Sequence, residues 1–512
     1  MTLRPASRLA PFLAATLVLL GACRGTFEPD VTGPITPPPP PAVVPNIPFR
    51  VGAFGPDFAT GVVVDGFNSA IVVGYFQGSV DFDPSSSAVV RNAIGPADGA
   101  VAKYRDDGSL AWAVNFGGTG ADLPSDIGLT ADGGVVVTGT ITSGTLCSGR
   151  PVTMVGARDA FLMKLSATGT CIWAIAIGGA SDVDEGRDVF VEPNGDILVT
   201  GAFAGTVDFD QSAGAALLTS RGGTDAYVAR YSSDGLFKQV AQFGGLDNDA
   251  GSALTRTATG DVIVGGEFAG TATFGNGGSP LLLISAGESD FFLAQLAPSL
   301  GVQWAVRGGG SGAEYLSHNS LLIEPGGTLV VAGMFSGTAD LDGGPGSALF
   351  VSQGGTDVFL ARFGVAGQYV GSGRRFGGAG SDGVQGLLVD AENNFYLSGW
   401  FSESVDFDPG AGVTLKTALG TSGAADAYLL AVTPAGDLRW VNTLGAVVGG
   451  DANVSVGSGM GLTSDGALWA VGRFFGRADL DPGTETVLAQ SLGDAEQFVV
   501  RVERATGALR RD

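Results

Sequence analysis

Val199-Thr200-Gly201-Ala202-Phe203 ends an apolar run on a glycine with an aromatic two places on, and this step returns along the chain. It recurs as Gly74-Tyr75-Phe76, Gly139-Thr140-Ile141, Gly266-Glu267-Phe268, Gly333-Met334-Phe335, Gly399-Trp400-Phe401 and Gly472-Arg473-Phe474. The spacings, 62 to 73 residues, define seven units. A second marker keeps the same count. An Asp opens an alternating run at Asp98, Asp159, Asp225, Asp290, Asp357, Asp426 and Asp494. In Asp225-Ala226-Tyr227-Val228-Ala229-Arg230-Tyr231 the period of two is plain. A third marker is a strand that ends in Gly-Gly, as in Trp112 to Gly118 and Trp173 to Gly179.

Each unit therefore offers four strands. The first precedes a hairpin turn such as Asp132-Gly133 or Asn194-Gly195, and the other three carry the three markers in turn. Four short strands repeated seven times predict an all-β chain, a seven-bladed β-propeller of four-stranded antiparallel blades. The ends of the chain agree with this. Leu509-Arg510-Arg511-Asp512 stops where a fourth strand should begin, while Phe49 to Gly55 reads as a fourth strand without its three predecessors. Joining them completes the last blade and closes the ring over residues 49–512.

The pattern Trp173…Gly178-Gly179…Asp182…Gly195…Val199-Thr200-Gly201 resembles the seven-bladed beta-propeller repeat family of bacterial cell-surface proteins. The resemblance covers residues 49–512 in variant form. It implies a propeller fold and an extracellular or envelope address, without an assigned activity. The chain departs from it by lacking a Trp near Phe237 and Val370, and by an irregular loop from Leu444 to Gly450.

Composition fits a turn-rich β protein, with 85 Gly in 512 residues, 45% hydrophobic and only 15% charged. The net charge of −24 repels phosphate backbones and argues against nucleic acid. A single His leaves little room for imidazole-based catalysis or zinc. No Gly-x-Ser-x-Gly, His-Glu-x-x-His or phosphate-loop motif is present. No catalytic residue is assigned.

The first 22 residues read as a signal peptide, with Arg4 and Arg8 ahead of the apolar stretch Leu9 to Gly21. Leu20-Gly21-Ala22-Cys23 resembles a lipobox, which makes Cys23 the acylated (palmitate-bearing) first residue of a mature lipoprotein. By the same resemblance, Arg24 favours the outer membrane over the inner. Residues 23–48 hold Pro34, Pro37 to Pro41, Pro45 and Pro48, and read as an extended tether.

Two acidic series stand out. Asp81 and Asp83, Asp208 and Asp210, Asp340 and Asp342, Asp406 and Asp408, and Asp479 and Asp481 form Asp-x-Asp pairs after the second strand. Alternation puts both carboxylates of a pair on one face, where they repel unless a cation such as Ca²⁺ or backbone N–H groups lie between them. Turn hydrogen bonding is the simpler reading. The second series follows each Gly-Gly: Asp57, Asp122, Asp182, Asp249, Glu314, Asp382 and Asp451. It forms either an acidic ring at a channel mouth, able to collect cations or a basic segment, or repeated copies of one structural turn. Cys147 and Cys171 lie in one unit of a chain expected in an oxidising compartment, so a disulfide is open. A simple meander places them toward opposite ends of the blade. The Trp residues at matched positions are expected between blades, and His318, without a counterpart, in a loop or at a strand edge.

The expectation is a non-enzymatic envelope lipoprotein, a monomer held to the membrane by lipid, presenting its propeller to a protein or glycan. The alternatives are a carboxylate-based polysaccharide lyase or hydrolase, and a scaffold lipoprotein of an outer-membrane complex. The acidic features repeat, whereas a catalytic site needs residues that differ between repeats.

Overall fold

The computed structural model describes residues 47–147, 150–180, 183–275, 280–420, 424–447, 453–483 and 485–511. Cys23, the tether up to residue 46, Asp182 and Asp451 lie outside them. The described residues are all-β, with strands, turns and no helix.

The chain runs as a series of four-stranded antiparallel meanders. The first comprises Phe58–Val64, Ala70–Phe76, Asp98–Tyr104 and Leu110–Phe116. The second comprises Leu123–Leu129, Val135–Ile141, Asp159–Leu165 and Cys171–Ile177. The third is Asp184–Val191, Ile197–Asp208, Leu217–Tyr231 and Phe237–Gly245. The fourth is Ala250–Arg256, Val262–Phe268, Asp290–Leu296 and Val302–Gly310. In the fifth the opening strand is broken: Glu314–Tyr315 and Leu321–Ile323 both pair with Leu329–Asp340, followed by Leu349–Phe363 and Arg374–Gly378. The sixth runs through Asp382–Val389, Phe395–Ser402, Ala425–Val432 and Leu438–Ala446. The last joins Asn453–Leu462, Ala467–Phe475 and Glu496–Glu503 to Phe49–Val51, with Phe49 opposite Val499. The N-terminal strand thus pairs with the C-terminal one.

Alternation buries the central strands on both faces. Val330, Val331, Ala332 and Phe335 of the fifth meander are fully buried, as are Phe291, Phe292, Leu293 and Ala294 of the fourth. Apolar clusters join side chains of adjacent meanders, for example Ile71 and Val73 with Phe161 and Met163. Each such cluster removes apolar area from water at about 25 cal/mol per Å².

A polar tie repeats between meanders. Trp112 Nε1 donates to the Ala167 carbonyl at 3.0 Å, Trp173 to Ser233 at 3.0 Å, Trp304 to Val365 at 3.0 Å and Trp440 to Arg504 at 3.1 Å. Where Trp is missing, Gln239 Nε2 reaches Pro298 O at 2.8 Å and Arg374 Nη2 reaches Ala435 O at 2.6 Å. From the last meander, Arg501 Nη1 reaches Asp106 O of the first at 3.0 Å.

The Gly-Gly marker sits at the seam between meanders, where close approach excludes side chains. A Cβ on Gly244 (φ +148°) would lie 2.6 Å from the Asp225 carboxyl carbon and 2.8 Å from Asp249 Oδ2. One on Gly245 would run into the Thr271 carbonyl, because the strand Thr271–Phe274 of the next meander pairs there. Elsewhere the Asp-x-Asp hairpin takes that place, with Gly309 opposite Asp340, Gly377 opposite Asp406 and Gly445 opposite Asp479.

Candidate functional site

The acidic series are structural in their placement. Asp57 and Asp122 have no exposed surface, Asp249 and Asp382 are 1% and 2% exposed, and Glu314 is fully buried. Each clips the seam beside it. Asp57 accepts from Ala53 N at 2.7 Å and Gln77 N at 3.1 Å, Asp122 from Gly118 N and Thr142 N, and Asp249 from Gly245 N and Ala269 N. Glu314 accepts from Gly310 N at 2.9 Å, and Asp382 from Gly378 N and Ser402 N. These carboxylates do not form a ring open to cations or a basic segment, because seam N–H groups hold them inside. In the third meander Asp184 takes the role, accepting from Gly179 N and Ala204 N. In the last, Val454 stands at the register position opposite Phe474.

A second buried carboxylate faces each clip. Asp98, Asp159, Asp225, Asp290 and Asp357 are fully buried at the start of the third strands, and the last meander uses Glu496 where Asp494 was expected. Burial, reinforced by the facing carboxylate, pushes Asp57, Asp249, Glu314 and Asp382 up to about 7 and Asp184 to about 6.

The Asp-x-Asp pairs make one repeated turn. Asp81 Oδ1 accepts from Asp83 N at 3.0 Å and Val89 N at 2.8 Å, and Asp83 from Ser85 N at 2.9 Å. The pattern recurs from Asp208 to Ala216 N, Asp340 to Ala348 N, Asp406 to Thr414 N and Asp479 to Val487 N. The second aspartates Asp210, Asp342, Asp408 and Asp481 each accept from an N–H two residues on. Among the described residues no group of three or more His, Cys, Asp or Glu side chains is placed to hold a metal ion.

Cys147 and Cys171 are joined in a disulfide, with Cα atoms 5.9 Å apart. The simple meander misleads because the hairpin after the second strand folds back across the blade. In the first meander Tyr104 Oη donates to Phe82 O at 3.1 Å, and in the third Tyr231 Oη to Phe209 O at 2.9 Å, so the hairpin reaches the far end of the third strand. Leu165 stands at that place in the second meander, and the disulfide makes the tie there.

The residues that do gather at an open site are unrepeated. In six of the meanders the opening strand carries a β-bulge, which re-aims one side chain off the ladder. The bulges lift Thr60, Ser125, Arg187, Ser252 and Ser458, and all five line one cavity of about 430 Å³. The broken strand of the fifth meander supplies its floor, with Leu316, Ser317 and His318 lining the same space. That segment crosses the centre. His318 Nε2 lies 3.2 Å from Thr60 O of the first meander, Asn319 Nδ2 donates to Asp126 Oδ1 of the second at 2.9 Å, and Ser317 Oγ donates to Val384 O of the sixth at 2.8 Å. Asn319 borders a second cavity of about 290 Å³, apolar and lined by Val62, Ile127, Leu387 and Met460 among others.

Charge at the mouth is ordered. Arg187 pairs with Glu267 and, at 3.2 Å, with Glu185, which also meets Arg158 at 3.2 Å. Ser252 Oγ donates to Glu267 Oε2 at 2.6 Å. Burial disfavours the Arg187 charge, but the two glutamates more than offset this and hold its pKa above the usual value. Tyr75 lines the cavity and stacks on Phe58 at 4.9 Å, with the Arg473 guanidinium 4.2 Å over the Phe58 ring. Burial raises the Tyr75 pKa, and Arg473 works against that rise. Tyr75, Thr140, Glu267 and Arg473 are all middle residues of the Gly-x-aromatic step, the one position of that marker that varies freely.

No family model matches the chain. Over 440 residues it is 20% identical to an uncharacterised WD repeat-containing protein, L264, of Acanthamoeba polyphaga mimivirus, covering 70% of this chain and 31% of that protein. The chain thus spans about a third of the length of the curated relative it matches. Among solved structures it is similar to the polysaccharide lyase Uly1, with a TM-score of 0.40 and 9% identity over 87% of this chain and 90% of that one. It is also similar to U3-55K, with a TM-score of 0.38 and 10% identity over 88% of this chain and 97% of that one.

Proposed function

We propose that this chain is an envelope lipoprotein, acylated at Cys23, whose residues 49–512 form a closed seven-bladed β-propeller that binds a glycan or protein at its axial mouth. The convergence of bulged residues from five meanders on one cavity carries the reading of the mouth. The Arg501–Asp106 hydrogen bond and the pairing of Phe49–Val51 with Glu496–Glu503 support ring closure. The lipobox at Leu20 to Cys23 supports the anchor.

A carboxylate-based lyase or hydrolase is the second reading. It is favoured by one observation: Glu185, Tyr75 and His318 line one cavity, with Glu267 bonded to its lining residues Arg187 and Ser252. The test is a glycan array and a capture experiment from envelope fractions, run with the native chain and with Thr140→Trp, which fills the cavity. Binding lost in the variant supports the mouth. Shortened glycan products on incubation would favour the enzyme over the binding module, and incorporation of a palmitate analogue, abolished by Cys23→Ser, tests the anchor.

A further inference from the structure

We infer that a cavity of about 390 Å³ between the first and second meanders binds a small apolar monocarboxylate, anchored by Arg91. This site shares no lining residue with the mouth and stands independently of the mouth reading. Val114 and Phe116 of the first meander form one wall, and Leu146, Met163, Leu165 and the Cys147–Cys171 disulfide of the second form the other. The volume falls within the range of small-molecule sites.

Two departures from the repeat make the site. The return strand of the hairpin sets Arg91 opposite Val80, at the place where the third, fifth and last meanders put Leu218, Phe350 and Ala489. Those three pack on apolar clusters, and Lys416 stands there in the sixth. At the end of the third strand, Leu165 stands where Tyr104 and Tyr231 each carry a phenol ring across to the hairpin. The smaller side chain leaves that space open.

The state of the Arg91 charge selects the ligand. Its Nε and Nη2 donate to the Ala113 carbonyl at 3.0 and 2.6 Å, and Nη1 to the Val90 carbonyl at 3.1 Å. These neutral acceptors fix the guanidinium without balancing its charge, and among the described residues no carboxylate pairs with it. Alternation sets Asp81, opposite Val90, on the other face of the hairpin. A guanidinium carries five N–H groups, so two remain, and a carboxylate accepts two in parallel. A fork already fixed loses little freedom when a ligand arrives. Phe116, Leu146, Met163 and Leu165 are each at most 5% exposed and give an apolar body a place out of water. The Met163 thioether adapts to a ring or a chain. Among the described residues no second cation lines the cavity, so a second charge on the ligand would be left without a partner.

The test is calorimetric titration of the full-length chain with hexanoate, benzoate and phenylacetate, with the amide of each, and with inorganic phosphate as competitor. At least one acid is expected to bind tenfold or more tightly than its amide. Arg91→Gln should remove most of that difference, and Arg91→Lys, which keeps the charge without the fork, should retain part of it. Thr170 lines the same cavity on an exposed position, so Thr170→Trp should block acid and amide alike with the melting temperature unchanged. If Arg91→Gln lowers the melting temperature, Thr170→Trp still decides whether the acid enters here. Equal binding of acid and amide, a preference for acid that survives Arg91→Gln in a folded chain, binding indifferent to Thr170→Trp, displacement of the acids by phosphate, or no binding by any probe each overturns the inference.

Discussion

Arg501 is wholly buried and donates through Nη1 to the carbonyl of Asp106 at 3.0 Å, across 395 residues of sequence. The same guanidinium pairs with Asp106 Oδ1 at 2.5 Å and with Asp465 at 2.7 Å, so it ties the last meander to the first through main chain and side chain together. Removing it takes this partner from Asp106 and leaves Asp465 with Arg510 at 2.9 Å, at the junction where the ends of the chain meet.

Arg501→Met is therefore expected to destabilise the fold by about 1–3 kcal/mol, the range for losing hydrogen bonds to charged groups, since the two carboxylates it leaves are partly exposed. Denaturant unfolding measures it. The same variant should speed proteolysis near Phe49–Val51, whereas Arg511→Met, on an exposed side chain, should be close to neutral.

Stability should fall as pH rises through the neutral range. Asp57, Asp249, Glu314 and Asp382 titrate near 7 in the folded protein and near 4 when unfolded, so the native state holds more protons between those values. Their contribution is complete below about pH 4 and is lost as pH climbs through 7. Calorimetry at pH 5, 6, 7 and 8 and fixed ionic strength should show a melting temperature falling by several degrees. Asp249→Asn, which keeps the shape and cannot ionise, should flatten that slope.

Metal should not matter to the Asp-x-Asp turns. Asp406 Oδ1 already accepts from Asp408 N at 3.1 Å and Thr414 N at 2.8 Å. Asp406→Ala strands both donors and is expected to lower stability by about 1–3 kcal/mol. EDTA or calcium, at matched ionic strength, should leave the melting temperature where it was. A rise with calcium that Asp406→Ala abolishes would mean that the turn holds a cation after all.

Replacing Cys147 and Cys171 together by Ser should lower stability by about 3 kcal/mol, because the bridge closes a loop of 24 residues in the unfolded chain. The loss should match that seen in the native chain on reduction. A larger effect of reduction would point to damage beyond this bridge.

Much of the fold was legible in the sequence because its markers are backbone requirements. Gly244 and Gly245 admit no side chain at the seam, and Trp112 and Trp173 occupy equal places because each donates to the same turn of the next meander. Gln239 and Arg374 perform that task without resembling Trp, which is why the pattern lapses there while the contact persists. The site was hidden for the opposite reason. Repeated aspartates drew attention because they repeat, and repetition marked structure. Thr60, Ser125, Arg187 and Ser252 share a position only through a bulge, which breaks the alternation that period-two reading relies on. Unlike residues at an irregular register leave no periodic trace.

The crossing segment from Leu316 to Ser320 turns the centre of the molecule into a cup. With His318 bonded to the first meander and Asn319 to the second, it forms a floor below the mouth. Under the proposed reading of the mouth as a binding site, a ligand there meets this floor rather than a through-channel, and a glycan would be engaged more readily at its chain ends than along its length.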